Sequence, residues 1–92
     1  MNVYKINKIP SYDIKKIVLY NYNNETRKTI LSNFKNYTQL KIFDCNYCNL
    51  TELQLPDLPD LLTHLDCENN KLIELPYLPH TLIELNCSNS PA

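Results

Sequence analysis

The sequence predicts an α/β repeat solenoid, with short parallel strands, extended proline-rich return segments and a helical N-terminal cap or divergent first repeat. Two observations point there. A pattern recurs down the second half of the chain: Leu40-Lys41-Ile42-Phe43-Asp44-Cys45-Asn46-Tyr47-Cys48-Asn49-Leu50, then Leu62-Thr63-His64-Leu65-Asp66-Cys67-Glu68-Asn69-Asn70-Lys71-Leu72, then Leu82-Ile83-Glu84-Leu85-Asn86-Cys87-Ser88-Asn89-Ser90. The leading leucines are 22 residues apart (Leu40 to Leu62) and then 20 (Leu62 to Leu82). A period of this size marks an architecture of stacked units. The second observation is the punctuation between copies, Leu55-Pro56-Asp57-Leu58-Pro59 and then Leu75-Pro76-Tyr77-Leu78-Pro79. Residues 1–39 form the cap or divergent repeat, and residues 40–92 hold two full units and a truncated third.

In the first segment, Ile14, Ile17 and Leu19 fit the leading apolar positions of the repeat, whereas Tyr22 and Asn24 do not. A helix follows over residues 25–36, its apolar stripe formed by Ile30, Leu31 and Phe34. Asn24 is the expected N-cap, and Glu25 sits in the first turn beside the helix dipole. Ile14 lies 26 residues before Leu40, a spacing that a helical return accommodates. A cap and a divergent first repeat both remain open.

Within each later unit, Leu-x-x-Leu-x-Cys starts a short strand. Alternation sends Leu65 and Cys67 to one face and Asp66 to the other. Stacking in parallel aligns Phe43, Leu65 and Leu85 in one apolar column and Cys45, Cys67 and Cys87 in a second. Asn70 is expected to turn the chain out of the strand, its amide satisfying loop backbone groups. Pro56, Pro59, Pro76 and Pro79 fix φ and favour extended returns, with Leu53, Leu55, Leu58, Leu75 and Leu78 pointing inward.

Composition excludes several function classes. The chain has 92 residues and no glycine, so Gly-rich phosphate loops and dinucleotide fingerprints are ruled out. With no glycine, every turn that needs positive φ is expected to use Asn, of which there are thirteen, or Asp. No apolar run approaches the roughly 20 residues of a membrane span or forms a signal-peptide core. Four cysteines without an export signal indicate free thiols in a reducing, cytoplasmic setting. Charge is strongly divided: residues 1–41 carry net +6 and residues 42–92 net −7, for a total of −1.

Candidate chemical groups yield to structural explanations. Cys45-Asn46-Tyr47-Cys48 has C-x-x-C spacing, but no second pair of ligands stands at zinc-site spacing. The repeat frame already uses Cys45, Cys67 and Cys87 as core and Cys48 as a loop position. His64 stacks beside Glu84 and Asp66, with no Ser or Cys nucleophile at a matching exposed strand position except Ser88. Asp44 and Asp66 occupy one repeat position as a polar ladder. Lysines and tyrosines of the first segment (Tyr4, Lys5, Tyr12, Tyr20, Tyr22 among them) suggest base stacking, but the acidic second half opposes phosphate. The expectation is no catalysis, no cofactor, no metal, no nucleic acid and no membrane.

The repeat resembles the leucine-rich repeat, L-x-x-L-x-L-x-x-N/C-x-L, with Cys45, Cys67 and Cys87 in place of the third leucine and Ser90 as a departure from the Asn/Cys position. The L-P-x-L-P return is similar to that of short-repeat YopM-like and IpaH-like bacterial effectors and of some giant-virus proteins. The resemblance covers residues 40–90. It implies a protein-interaction module acting inside a cell, including a host cell. An alternative is a fragment or remnant of a longer repeat protein, such as an effector with a ubiquitin-ligase domain. The strand face supplies the partner-binding candidates Ile42, Asp44, Tyr47, His64, Asp66, Glu68, Glu84 and Asn86. Its acidity favours a basic protein partner, and the last strand, an uncovered edge, favours self-association through residues 82–90.

Overall fold

The computed structural model describes residues 7–51 and 57–91. Four three-residue strands, β1 (Lys16–Val18), β2 (Ile42–Asp44), β3 (His64–Asp66) and β4 (Glu84–Asn86), form one parallel sheet in the order β1-β2-β3-β4. Its register follows the sequence pattern: Ile17 faces Phe43, Phe43 faces Leu65, and Leu65 faces Leu85. The strands expected near 42–45, 64–67 and 84–87 are therefore present and parallel, and residues 16–18 add a strand before them.

Alternation along these strands builds the core. Ile17, Phe43 and Leu65 form one buried row, and Leu19, Cys45 and Cys67 form the next. Leu40, Leu62, Leu50 and Leu72 close it from either end of the strands. On the return side Leu58 is buried, while Leu75 and Leu78 are half-buried against the same cluster. Leu53, Leu55 and Pro56 lie outside the described residues, as do Tyr4 and Lys5.

The helix α1 runs Asn24–Ser32, shorter than the 25–36 expected from the sequence. Asn23, one residue earlier than expected, is the N-cap, and its Oδ1 accepts from Thr26 N at 2.8 Å. The helix ends because Asn33 leaves helical geometry (φ −109°, ψ 19°), its amide donating to Thr29 O at 2.8 Å. A 3₁₀ turn over Phe34–Asn36 then winds more tightly. It delivers Phe34 to Phe43, with ring centroids 4.7 Å apart, and Tyr37 to the core, where its hydroxyl donates to Pro10 O at 3.0 Å.

Two expectations about residue types need correction. Tyr22, excluded from the repeat frame by its side chain, is buried. It stands 26 residues before Cys48, the same offset that separates Lys16 from Ile42. Positive φ is likewise not confined to asparagine and aspartate. Asn49, Asn69 and Asn89 take it as expected, but so does Tyr47, at 55°. The cause is stacking: Tyr47 N donates to Glu68 O and Asn69 N to Ser88 O. These loops must superpose, so residue 47 adopts the left-handed geometry of Asn69 and Asn89 whatever its side chain.

Asn70 carries the loop ladder. Its buried Oδ1 accepts from Cys48 N and Leu50 N, each at 3.1 Å. Its Nδ2 reaches Cys45 O at 2.9 Å, Cys67 O at 3.0 Å and Glu68 O at 3.1 Å. Ser90, the departure from the pattern, serves in the next loop: its hydroxyl accepts from Asn70 N at 3.3 Å and donates to Cys67 O at 3.3 Å. Replacing Asn70 by Ala leaves buried donors and acceptors unpaired, each costing about 1–3 kcal/mol. The expected loss in urea unfolding is therefore at least about 3 kcal/mol, and Ser90→Ala should cost far less. Equal effects would contradict the assignment.

Candidate functional site

The sheet face opposite the core carries two rows of side chains. Ile42, His64 and Glu84 are register partners in one, and Asp44, Asp66 and Asn86 in the other. His64 Nε2 lies 3.4 Å from Glu84 Oε2, and its Nδ1 is 2.7 Å from Thr63 Oγ1. The contact is half exposed, so solvent weakens it. A shallow cleft of about 100 Å³ runs over Ile42, His64, Asp66, Glu84 and Asn86.

Several members of this face bind their own backbone. Asp44 Oδ1 accepts from Asn46 N at 3.0 Å, and Asn86 Oδ1 from Ser88 N at 3.3 Å. In the middle unit that bond is pre-empted, because Glu68 N donates to Asn46 Oδ1 at 2.7 Å. Asp66 Oδ1 is left buried with no hydrogen-bond partner. The Asn86 amide donates to the Glu68 carboxylate. Of the eight candidates, Tyr47 and Glu84 are exposed, while Ile42, Asp44, His64, Asp66, Glu68 and Asn86 are half-buried.

Tyr47 stands apart at the loop end of the face, with 64% of its surface exposed. It also borders an open groove of about 790 Å³ shared with Asn49, Lys28 and Leu31. Arg27 borders the groove too, but its guanidinium is committed. Nε donates to Leu19 O at 3.1 Å, Nη2 to Tyr20 O at 3.0 Å, and the group stacks over the Tyr20 ring at 5.4 Å. Among the tyrosines considered for base stacking, Tyr22 is buried and Tyr12 packs edge-on against Tyr37. Among the described residues these tyrosines are thus engaged separately, Tyr20 with Arg27 and Tyr12 with Tyr37.

All four cysteines are free thiols. Burial pushes the Cys67 thiol up to about 11 and the Cys45 thiol higher still, so neither is a thiolate nucleophile at neutral pH. Burial likewise raises the Tyr37 hydroxyl to about 12. Among the described residues no group of three or more His, Cys, Asp or Glu could hold a metal ion, and no helix is long and apolar enough to cross a membrane. The left-handed Tyr47 was the feature that reading by residue type missed, although the alignment already set it opposite Asn69 and Asn89.

Neither a family model, nor a curated protein, nor a solved structure matches the chain.

Two outcomes are expected from this geometry. Tyr47→Asn relieves left-handed strain and should stabilise the fold by about 1 kcal/mol, read as a higher urea midpoint. Alkaline pH should unfold the protein. Protonated Cys67 contributes stability that is complete below the ordinary thiol value of 9.0 and is lost as pH rises through about 11. Tyr37 extends the same loss from 10.0 through about 12. A flat melting temperature from pH 8 to 11 would contradict this sign.

Proposed function

We propose that this chain is a non-enzymatic protein-interaction module of the leucine-rich repeat kind, a short solenoid that binds a basic protein segment on its open strand face. The even register of the parallel sheet and the Asn70 loop ladder support the repeat reading. Protonated core thiols and a His64–Glu84 pair with no aligned nucleophile favour binding over catalysis. Free thiols support a reducing compartment.

One observation carries the functional reading. Tyr47 holds a left-handed backbone at 55°, where Asn69 and Asn89 take the same geometry with less strain. Its ring is mostly exposed, so the core gains little from it. A strained, exposed aromatic at the end of a polar face is suited to anchoring a partner. Around it Asp44, Asp66, Glu68 and Glu84 supply negative potential, which speeds encounter with a basic surface and weakens with salt. Ile42 gives a smaller apolar contact beside His64.

The test is affinity capture with the intact chain beside Tyr47→Ala and Asp66→Lys variants. The expected result is a basic protein that the intact chain retains at low salt and that both variants lose. A set of proteins unchanged by both substitutions would reject the strand face as the binding site.

A further inference from the structure

The strand face is not uniformly acidic. Alternation puts Ile17 in the core, so Lys16 stands on the opposite face, in one row with Ile42, His64 and Glu84. Lys16 and Glu84 are exposed at the two ends of this row, and Ile42 and His64 are half-buried between them. Lys15 and Lys41 stand one residue earlier in the same stack. Lys15 O accepts from Lys41 N at 2.8 Å and from Ile42 N at 3.0 Å, and both lysines are exposed. Three lysines thus gather at the start of β1 and β2. The ion pairs among the described residues are Lys28–Glu25 and His64–Glu84, so none of the three is neutralised there.

The far side of the same face has the opposite sign. Asp66 and Glu84 both border the shallow cleft, and Asp66 Oδ1 has no hydrogen-bond partner. Crossing the strands from β1 to β4, the row therefore reads positive, apolar, then negative. Neighbouring strands lie about 4.8 Å apart, so three steps separate Lys16 from Glu84 by about 14 Å. An extended segment laid across the strands turns residues i, i+2 and i+4 to one side, with the outer two about 13 Å apart. A helix presents the same face again after seven or eleven residues, at about 10.5 or 16.5 Å, and misses this spacing on either side.

We propose that the strand face takes an extended protein segment of the order acidic–x–apolar–x–basic, with the acidic residue at Lys16, the apolar one over Ile42 and His64, and the basic one at Asp66 and Glu84. This rests on the strand face being the binding surface and adds a fixed order of charge to the basic segment proposed for it. A segment that is basic throughout would set one cation against three lysines, and such like-charge contact selects against it.

NMR titration of the isotope-labelled intact chain at low salt tests the order, with three capped peptides carried to millimolar concentration. Their cores are Glu-Ser-Leu-Ser-Arg, the wholly basic Arg-Ser-Leu-Ser-Arg, and Glu-Arg-Leu-Ser-Ser, which keeps the first peptide's net charge but closes its spacing. The first is expected to shift the amides of Lys16, His64 and Glu84 and to bind about fivefold tighter than either of the others, the yield of one exposed ion pair. Lys16→Glu changes an exposed side chain and leaves the core intact, and it should make the wholly basic peptide the tighter binder. If that peptide already binds the unaltered chain as tightly as the first, or if Lys16→Glu leaves the ranking unchanged, the charge order is wrong while a basic segment on this face still stands. Equal binding of the first and third peptides would overturn the spacing. Titrations in which no peptide shifts any strand-face amide would overturn the charge order together with the binding surface it rests on.

Discussion

The buried amide of Asn70 is the interaction on which the rest of the molecule depends. Parallel strands of three residues offer few ladder bonds, so something else must hold successive turns of chain at one spacing. The Asn70 side chain spans two loops at once, accepting from Cys48 N and Leu50 N and reaching the Cys45, Cys67 and Glu68 carbonyls. Cys67 O and Glu68 O are also reached by Ser90 Oγ and Tyr47 N, so the Asn70 amide shares these carbonyls while it ties the two loops together. With the loops fixed, the apolar rows beneath fall into line. The left-handed turns at Tyr47, Asn69 and Asn89 follow as a shared geometry and not as separate local choices.

Much of this was legible in the sequence, for physical reasons that differ by element. Strand positions could be read because Leu65 and Cys67 must be buried at period two, and the 22- and 20-residue steps fix the register. The Asn70 turn could be read because few other side chains both donate and accept at that size. The end of α1 could not. It depends on Asn33 competing for Thr29 O and on Phe34 and Tyr37 reaching the core, which is a tertiary demand. Tyr22 and Tyr47 were obscured by the same habit of reasoning. Each was judged by its intrinsic preference, while the stacked neighbour dictated its place.

The strand face shows which of its residues hold the loops in place and which do not. Asp44 and Asn86 brace their own loops, Asn46 braces the next one, and Glu68 holds the Asn86 amide. Substitutions there disturb the scaffold along with any contact to a partner. Glu84 and Tyr47 project furthest, and His64 is held at Glu84 by a solvent-screened contact. Asp66 is the exception on the face, a carboxylate oxygen buried without a hydrogen bond. Sequence alone could name these positions as outward-facing. It could not sort braces from free side chains, because that sorting depends on which loop N–H each oxygen reaches.

Ile17 and Leu19 are buried at the β1 end of the sheet whereas Leu85 is 39% exposed at the β4 end, and this uneven closure gives the sheet a direction. Local opening of a sheet is easiest at a strand that pairs on one side only, as β4 does among the described residues. Leu85 loses little packing when β4 lifts away, whereas releasing β2 breaks contacts on both sides. Amide protons should therefore exchange with solvent fastest at β4 and more slowly toward β2. Opening that starts at β4 would meet the Asn70 amide as its first firm stop.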